Sequence, residues 1–211
     1  MNIAVFGARG RVGSKACEIA AKRGHNVWEI DVNYEKNPLD RVDGVIDFSS
    51  ADATERVADF CLEHGCTLIT GVTGRDEKQS EIIEKLKKSV KVVEKANFSR
   101  GMTVFTEICE RIAATLKNWD CEIVETHRKG KKDSPSGTAK TLACKIAAAK
   151  GSFSSVTVHS RRLGSCFGTH EVTFATDGES VTLTHAAENV DVFALGAVTE
   201  LEKACGVGEK N

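Results

Sequence analysis

Thirteen residues, HRKGKKDSPSGTA, run from His127 to Ala139 and gather one histidine, four cations and a small-residue turn. His127 and Lys131 stand four apart. On a loop, that spacing lets an imidazole and an ammonium converge on one ligand. Arg128, Lys129 and Lys132 add positive charge. Ser136 reads as the N-cap of a helix, which leaves the amides of Gly137 and Thr138 for an anion. Arginine and a helix N-terminus both suit carboxylate oxygens. The stretch therefore reads as a receptor for a small, multiply anionic molecule such as a dicarboxylate. Beside a reduced nicotinamide its chemistry would be hydride transfer, with Lys131 or His127 supplying a proton. Crowding among cations would make Lys131 a readier acid near neutrality. The plainer alternative is a solvated basic loop capped by Ser136. A nucleic-acid loop is disfavoured, because no aromatic residues interleave with the cations.

A second stretch points to the partner such chemistry needs. GARGRVG carries Gly7, Gly10 and Gly13, with Arg9, Arg11 and Val12 between them. It follows a strand-like run and opens a helix-like one. Gly7 permits a tight turn, Gly10 lets backbone amides approach a pyrophosphate, and Gly13 lets the helix pack close. Asp31 follows 18 residues after Gly13, where an acid can bind the adenosine ribose hydroxyls. Lys36 lies near enough to help a 2′-phosphate, so both NADH and NADPH remain open. The loops DFSS (Phe48, Ser49), GVTGR (Gly71, Thr73) and KANFSRG (Asn97, Phe98) also follow strand-like runs, where ligands of open parallel sheets bind.

The elements that must position these residues follow from periodicity. Strand-like runs at 2–6, 26–30, 44–48, 67–70 and 90–94 alternate with helical patterns at 12–23, 52–63 and 76–88. That repetition predicts a parallel sheet with right-handed crossovers. The pattern changes after Phe98. A helix is predicted over 101–117, with Val104, Ile108, Ile112 and Leu116 on its apolar stripe. Strand 121–126 and helix 137–149 follow. From Val156 the text turns to β, with alternating runs 170–176 and 180–186 around an Asp177-Gly178 hairpin signal. A last helix covers 191–204 and ends near Gly206. His170 and His185 lie in this β region, His185 as a structural, hydrogen-bonded group.

Composition bounds the rest. The 211 residues carry a formal charge of -1, so no global field favours nucleic acid or membrane. Met1 leads within two residues into a strand-like run, which leaves no room for a signal peptide. No apolar run approaches the ~20 residues of a spanning helix. None of the eight cysteines stands in Cys-x-x-Cys spacing. They read as reduced, mostly buried thiols of a cytoplasmic protein, and no metal site is expected.

The motif ETHRKGKKDSPSGTA resembles the signature of the 4-hydroxy-tetrahydrodipicolinate reductase (dihydrodipicolinate reductase) family. FGARGRVG, DFSS, GVTG, KANFSRG and SRRLGSCFGTHEVTF agree in order, over nearly the whole chain. The resemblance implies an α/β fold: a Rossmann-like parallel-sheet domain, 1–98 plus 190–211, and a central α+β domain, 99–189, for substrate binding and homotetramer assembly. His127 and Lys131 match the catalytic pair. Arg128, Ser136, Gly137 and Thr138 fall at the substrate loop, and the glycine turn and Asp31 at cofactor positions. The reaction implied is NAD(P)H-dependent reduction of a cyclic imino dicarboxylate in lysine and diaminopimelate biosynthesis. Hydride goes to C4 of the ring, a proton to the neighbouring carbon, and water is lost from the hydroxylated substrate. The chain departs from the pattern at Arg128 (usually His), Ser134 (usually Ala) and Asn189-Val190 (usually Ser-Arg). Two other readings stay open on the residues: a two-domain dehydrogenase for another amino-dicarboxylate, and a dinucleotide-binding sensor without turnover.

Overall fold

The computed structural model describes residues 1–151 and 156–208. Residues 209–211 of the expected first domain lie outside them. The chain divides into two compact units, Met1–Phe98 with Val190–Asn211, and Ser99–Asn189.

In the first unit, β1 (Asn2–Phe6) runs into α1 (Arg11–Lys22), β2 (Asn26–Asp31) and β3 (Tyr34–Lys36). Then come β4 (Gly44–Asp47), a 3-10 turn (Ala51–Ala53), α2 (Thr54–His64), β5 (Thr67–Thr70), α3 (Glu77–Leu86) and β6 (Val92–Glu94). The strand order is β3-β2-β1-β4-β5-β6. All pairings are parallel except β2–β3. The order reverses between β1 and β4, the switch point beside which such sheets bind ligands. β4 is buried throughout, as expected of a strand covered on both faces. α3 starts on a capping box between Asp76 and Gln79, which fixes where the loop after β5 ends. β3 was not expected; three residues are too short for an alternating pattern.

In the second unit, α4 (Arg100–Thr115) precedes β7 (Asp120–His127), α5 (Gly137–Lys150), β8 (Thr157–Arg162), β9 (Thr169–Thr176) and β10 (Glu179–Ala186). The sheet order is β10-β9-β7-β8. β7 and β8 are parallel, joined through α5, while β9 runs antiparallel to β7 and β10. Thr176 pairs with Glu179, so Asp177-Gly178 is the two-residue hairpin loop. The stripe expected on α4 holds at Ile112 and Leu116, which pack against the core, and needs correcting at Val104 and Ile108. Its buried face is Met102, Phe105, Cys109 and Ala113, and Val104 and Ile108 are 47% and 44% exposed. Small Cys and Ala side chains line the seam because α4 packs closely there, and the larger apolar residues stand beside it.

α6 (Asp191–Ala204) belongs to the first unit. Ala194, Ala197, Val198 and Leu201 are fully buried against β1, β4, β5 and α1. Burying a leucine such as Leu201 contributes about 2 kcal/mol. A Cβ on Gly44 would meet Leu201 Cδ1 at 2.5 Å, so that glycine sets how near the helix lies to the sheet. Four of the eight cysteines are buried, and all eight are free thiols. No helix among the described residues is long and apolar enough to cross a membrane.

Candidate functional site

At the end of β1 the main chain is packed too tightly for side chains. Gly7 has φ +74°, and a Cβ there would lie 2.6 Å from Phe48 O. A Cβ on Gly13 would lie 2.0 Å from Gly7 O. Gly10 N donates to Gly7 O at 2.9 Å, so this amide closes the turn instead of facing a ligand. α1 then opens without a side-chain cap, which leaves the amides of its first turn, at Arg11, Val12 and Gly13, for an anion. The bare cradle and the uncapped helix fit a dinucleotide pyrophosphate.

Asp31 ends β2 beside this turn. Its Oδ2 accepts from Arg9 N at 2.7 Å and its Oδ1 from Val32 N at 2.8 Å. The Arg9 guanidinium lies 5.2 Å from the centroid of the Tyr34 ring. Lys36 is directed elsewhere, 3.7 Å from Glu29 Oε1. On the other side of the switch point, Phe48 packs against Gly71, where a Cβ would meet its ring at 2.4 Å. The Phe48 and Phe98 rings meet edge to face at 6.0 Å. Ser49 N donates to Asp47 Oδ1 at 3.0 Å. Thr73 is exposed and Asn97 half-buried.

In the second unit, β7 delivers Glu125 and His127 to the helix-covered face of the sheet. Glu125 is fully buried. Arg162, at the end of β8, donates to it through Nη2 (2.8 Å, to Oε1) and Nη1 (3.1 Å, to Oε2). Ser136 N donates to Oε1 at 3.3 Å. His127 Nδ1 bonds to Oε2. Burial opposes ionising Glu125, but the hydrogen bonds from Arg162 and His127 outweigh it and hold the carboxyl at about 2. Burial pushes His127 below its ordinary value, against the pull of Glu125, with Lys131 and Arg162 acting in the same direction as burial. The His170 ring meets His127 edge to face at 5.5 Å. His170 is 2% exposed with neither nitrogen hydrogen-bonded, and burial lowers it to about 4.

The loop after His127 is tied back by main chain: Leu163 N donates to His127 O at 2.8 Å and Arg128 N to Cys166 O at 2.9 Å. Lys131 Nζ lies 2.8 Å from Asp133 Oδ1. A carboxylate therefore neighbours Lys131. Ser136 Oγ caps α5 by accepting from Ala139 N at 3.2 Å. Gly137 N is not left over; it donates to Asp133 Oδ2 at 3.4 Å. Thr138 is half-buried in the first turn of α5. Arg128 folds back over Gly130, where a Cβ would lie 2.5 Å from Nη1. The structure thus clusters His127, Lys131, Ser136 and Gly137 around two acids, Glu125 and Asp133, and turns Arg128 aside. His185 also differs from expectation: its Nδ1 is buried without a hydrogen bond.

The sequence reading passed over Glu125, Arg162 and Asp133 as site residues. Glu125 and His127 sit two apart on one strand, so their shared face was a usable signal. Arg162 lies 37 residues from Glu125, and only the β7–β8 pairing brings them together.

The model of the family described as dihydrodipicolinate reductase, N-terminus, matches residues 1–98, and that of its C-terminus matches residues 101–210. The chain belongs to the dihydrodipicolinate reductase family. It is 36% identical over 198 residues to a 4-hydroxy-tetrahydrodipicolinate reductase of Thermosipho africanus, covering 94% of this chain and 88% of that one. It is 34% identical over 221 residues to the enzyme of that name from Rickettsia rickettsii, covering 94% and 90%. In fold it is similar to a dipicolinate-bound dihydrodipicolinate reductase from Paenisporosarcina sp. TG-14, with a TM-score of 0.75 at 20% identity over 99% of this chain and 96% of that one. The chain is a pyridine-nucleotide-dependent reductase of lysine and diaminopimelate biosynthesis.

Proposed function

We propose that this protein reduces 4-hydroxy-tetrahydrodipicolinate to tetrahydrodipicolinate, with the dinucleotide held by the first unit and the dicarboxylate by the second. The observation that carries the assignment of roles is the Glu125–His127 pair clasped by Arg162, with the Lys131–Asp133 pair on the loop that follows. When bound, reduced nicotinamide would supply the hydride for C4 of the ring, once the 4-hydroxyl has left as water and opened a double bond between C4 and the neighbouring carbon. Gly7, Gly10, Gly13, Arg9, Arg11 and Val12 form the cofactor turn, with Asp31 at the ribose. Phe48, Ser49, Gly71, Thr73, Asn97 and Phe98 line the nicotinamide side.

The geometry supports one assignment of the proton. Ionised Glu125 accepts the Nδ1 hydrogen of a neutral His127, which leaves Nε2 as an acceptor. His127 therefore orients the substrate by accepting a hydrogen bond, and the Lys131 ammonium gives the proton to the carbon beside C4. Gly168 keeps Nε2 open, since a Cβ there would approach it to 3.0 Å. Ser136, Gly137 and Thr138 at the start of α5 receive a carboxylate, which would displace Asp133 from Gly137 N. Arg128 swings from Gly130 to pair with the dicarboxylate.

Both NADH and NADPH serve. Asp31 suits a free ribose, and the Arg9 guanidinium offers a 2′-phosphate a counter-charge. The active form is a homotetramer built through the second unit, and the enzyme works in the cytoplasm.

A coupled assay tests the reading. Pyruvate and aspartate semialdehyde are condensed by the preceding synthase, and NADH or NADPH loss is followed at 340 nm. Oxidation that needs both the synthase product and this protein is expected with either cofactor. Binding of nucleotide without oxidation would sink the assignment.

A further inference from the structure

One buried side chain joins the loops that follow β4, β5 and β6. Arg75 is 5% exposed in its side chain. Its Nε donates to Thr54 Oγ1 at 3.1 Å, Nη1 to Val72 O at 3.0 Å and Glu94 Oε1 at 2.6 Å, and Nη2 to Thr70 Oγ1 at 2.8 Å. Nη2 also lies 3.6 Å from Asp47 Oδ2. These partners stand at the end of β4, the end of β5, the loop after it, the end of β6 and the start of α2. A planar fork with five N–H groups can meet that set at once; an ammonium cannot.

Asp47 carries the tie onward. It is 1% exposed. Besides Arg75 it receives Ser49 N and Thr70 Oγ1, at 3.0 and 2.9 Å. Arg75 thus fixes Ser49 through Asp47, and Val72, between Gly71 and Thr73, directly. These loops lie beyond the β1–β4 switch point, on the half of the sheet that takes the second mononucleotide of a dinucleotide. The adenosine half, at the glycine turn and Asp31, has no bond to Arg75 among the described residues.

We propose that Arg75 is a positioning residue for the nicotinamide half of the cofactor, acting through Asp47 and the loops 47–50 and 71–75. The inference rests on the cofactor placement proposed above. It differs from a general role in stability because it predicts a loss confined to one end of the ligand.

The test is calorimetric titration of wild type, Arg75→Ala and Arg75→Lys with two probes, NADH and 5′-ADP, well below the melting temperature. ADP engages only the glycine turn and Asp31. For Arg75→Ala, NADH affinity should fall roughly tenfold or more while ADP affinity stays within about twofold. Methylguanidinium added at millimolar concentration should restore part of the NADH affinity. Arg75→Lys should fall between the two, and it decides the matter by the same ratio if the alanine variant does not fold. Equal loss of both probes, or no loss of either, overturns the inference and leaves the cofactor reading standing. Failure of the wild type to bind either probe overturns both.

Discussion

The two units build their candidate sites from opposite materials. In the first, the glycine turn is main chain against main chain, and its essential feature is the side chains that are missing at Gly7 and Gly13. In the second, Glu125, His127, Arg162 and His170 are side chains gathered on the covered face of a sheet, and three of them are hydrogen-bonded around the buried Glu125 carboxylate. The first arrangement answers to volume and is nearly indifferent to pH. The second answers to charge. A pyrophosphate needs dipoles that never titrate, whereas proton transfer needs groups that do.

That contrast can be broken most severely at Gly13. Gly13→Ala places a methyl 2.0 Å from Gly7 O, so α1 must move off the turn. NADH affinity should drop by roughly 100-fold or more, with the urea midpoint of the second unit nearly unchanged. Calorimetry and urea unfolding check this, and parallel losses would show that the units are not built independently.

The charge side is tested at Glu125. Glu125→Gln leaves the half-buried Arg162 cation without its counter-charge, which should cost about 1–3 kcal/mol of stability. Urea unfolding followed by Trp119, in a Trp28→Phe background, reads the second unit; NADH affinity should hold.

Next comes pH. An unfolded histidine takes up a proton near 6.5, but buried His170 refuses it until about 4. Its contribution is therefore whole above pH 6.5 and disappears as pH falls from 6.5 to 4, a loss of about 3 kcal/mol. Glu125 has its folded value depressed to about 2, so its contribution is present above pH 4.5 and is lost between 4.5 and 2. In His170→Phe, urea midpoints should show a shallower first decline, the remainder coming from His127 and His185, which burial also holds below their ordinary values, and should keep the second. An unchanged slope above pH 4.5 would assign the decline to another group.

Lys131→Met is the narrowest break. kcat should fall on the order of 10²-fold with cofactor affinity unaltered. A cofactor defect instead would remove Lys131 from the role of proton donor.

The same contrast decides what the sequence made legible. The glycine turn is local: three glycines, a preceding strand and a following helix lie within one segment, and alternation alone implies the parallel sheet. The charged cluster is not local. Its His, Lys and N-cap were readable in one motif, but Arg162 reaches Glu125 only through strand pairing. Arg75 was passed over because nothing in GVTGR shows that five acceptors surround it. On α4 the i+4 stripe from Val104 was right at Ile112 and Leu116 but misplaced at Val104 and Ile108, because the buried face is centred on Met102, Phe105, Cys109 and Ala113. The family resemblance supplied the chemistry; the structure supplied Asp133 as the neighbour of Lys131, and turned Arg128 away.

Finally, the first unit is discontinuous. Residues 99–189 separate Phe98 from the segment that carries α6, and α6 places Ala194, Ala197, Val198 and Leu201 in the core beneath β1 and β4. On a translating ribosome, at roughly 5–20 residues per second, the nascent sheet must wait several seconds with that apolar face uncovered. During the wait the intervening unit, which needs nothing from α6 for its own core, can fold first. The order of maturation would then run against the order of synthesis, and the nucleotide-binding half would be the one that leans on chaperones.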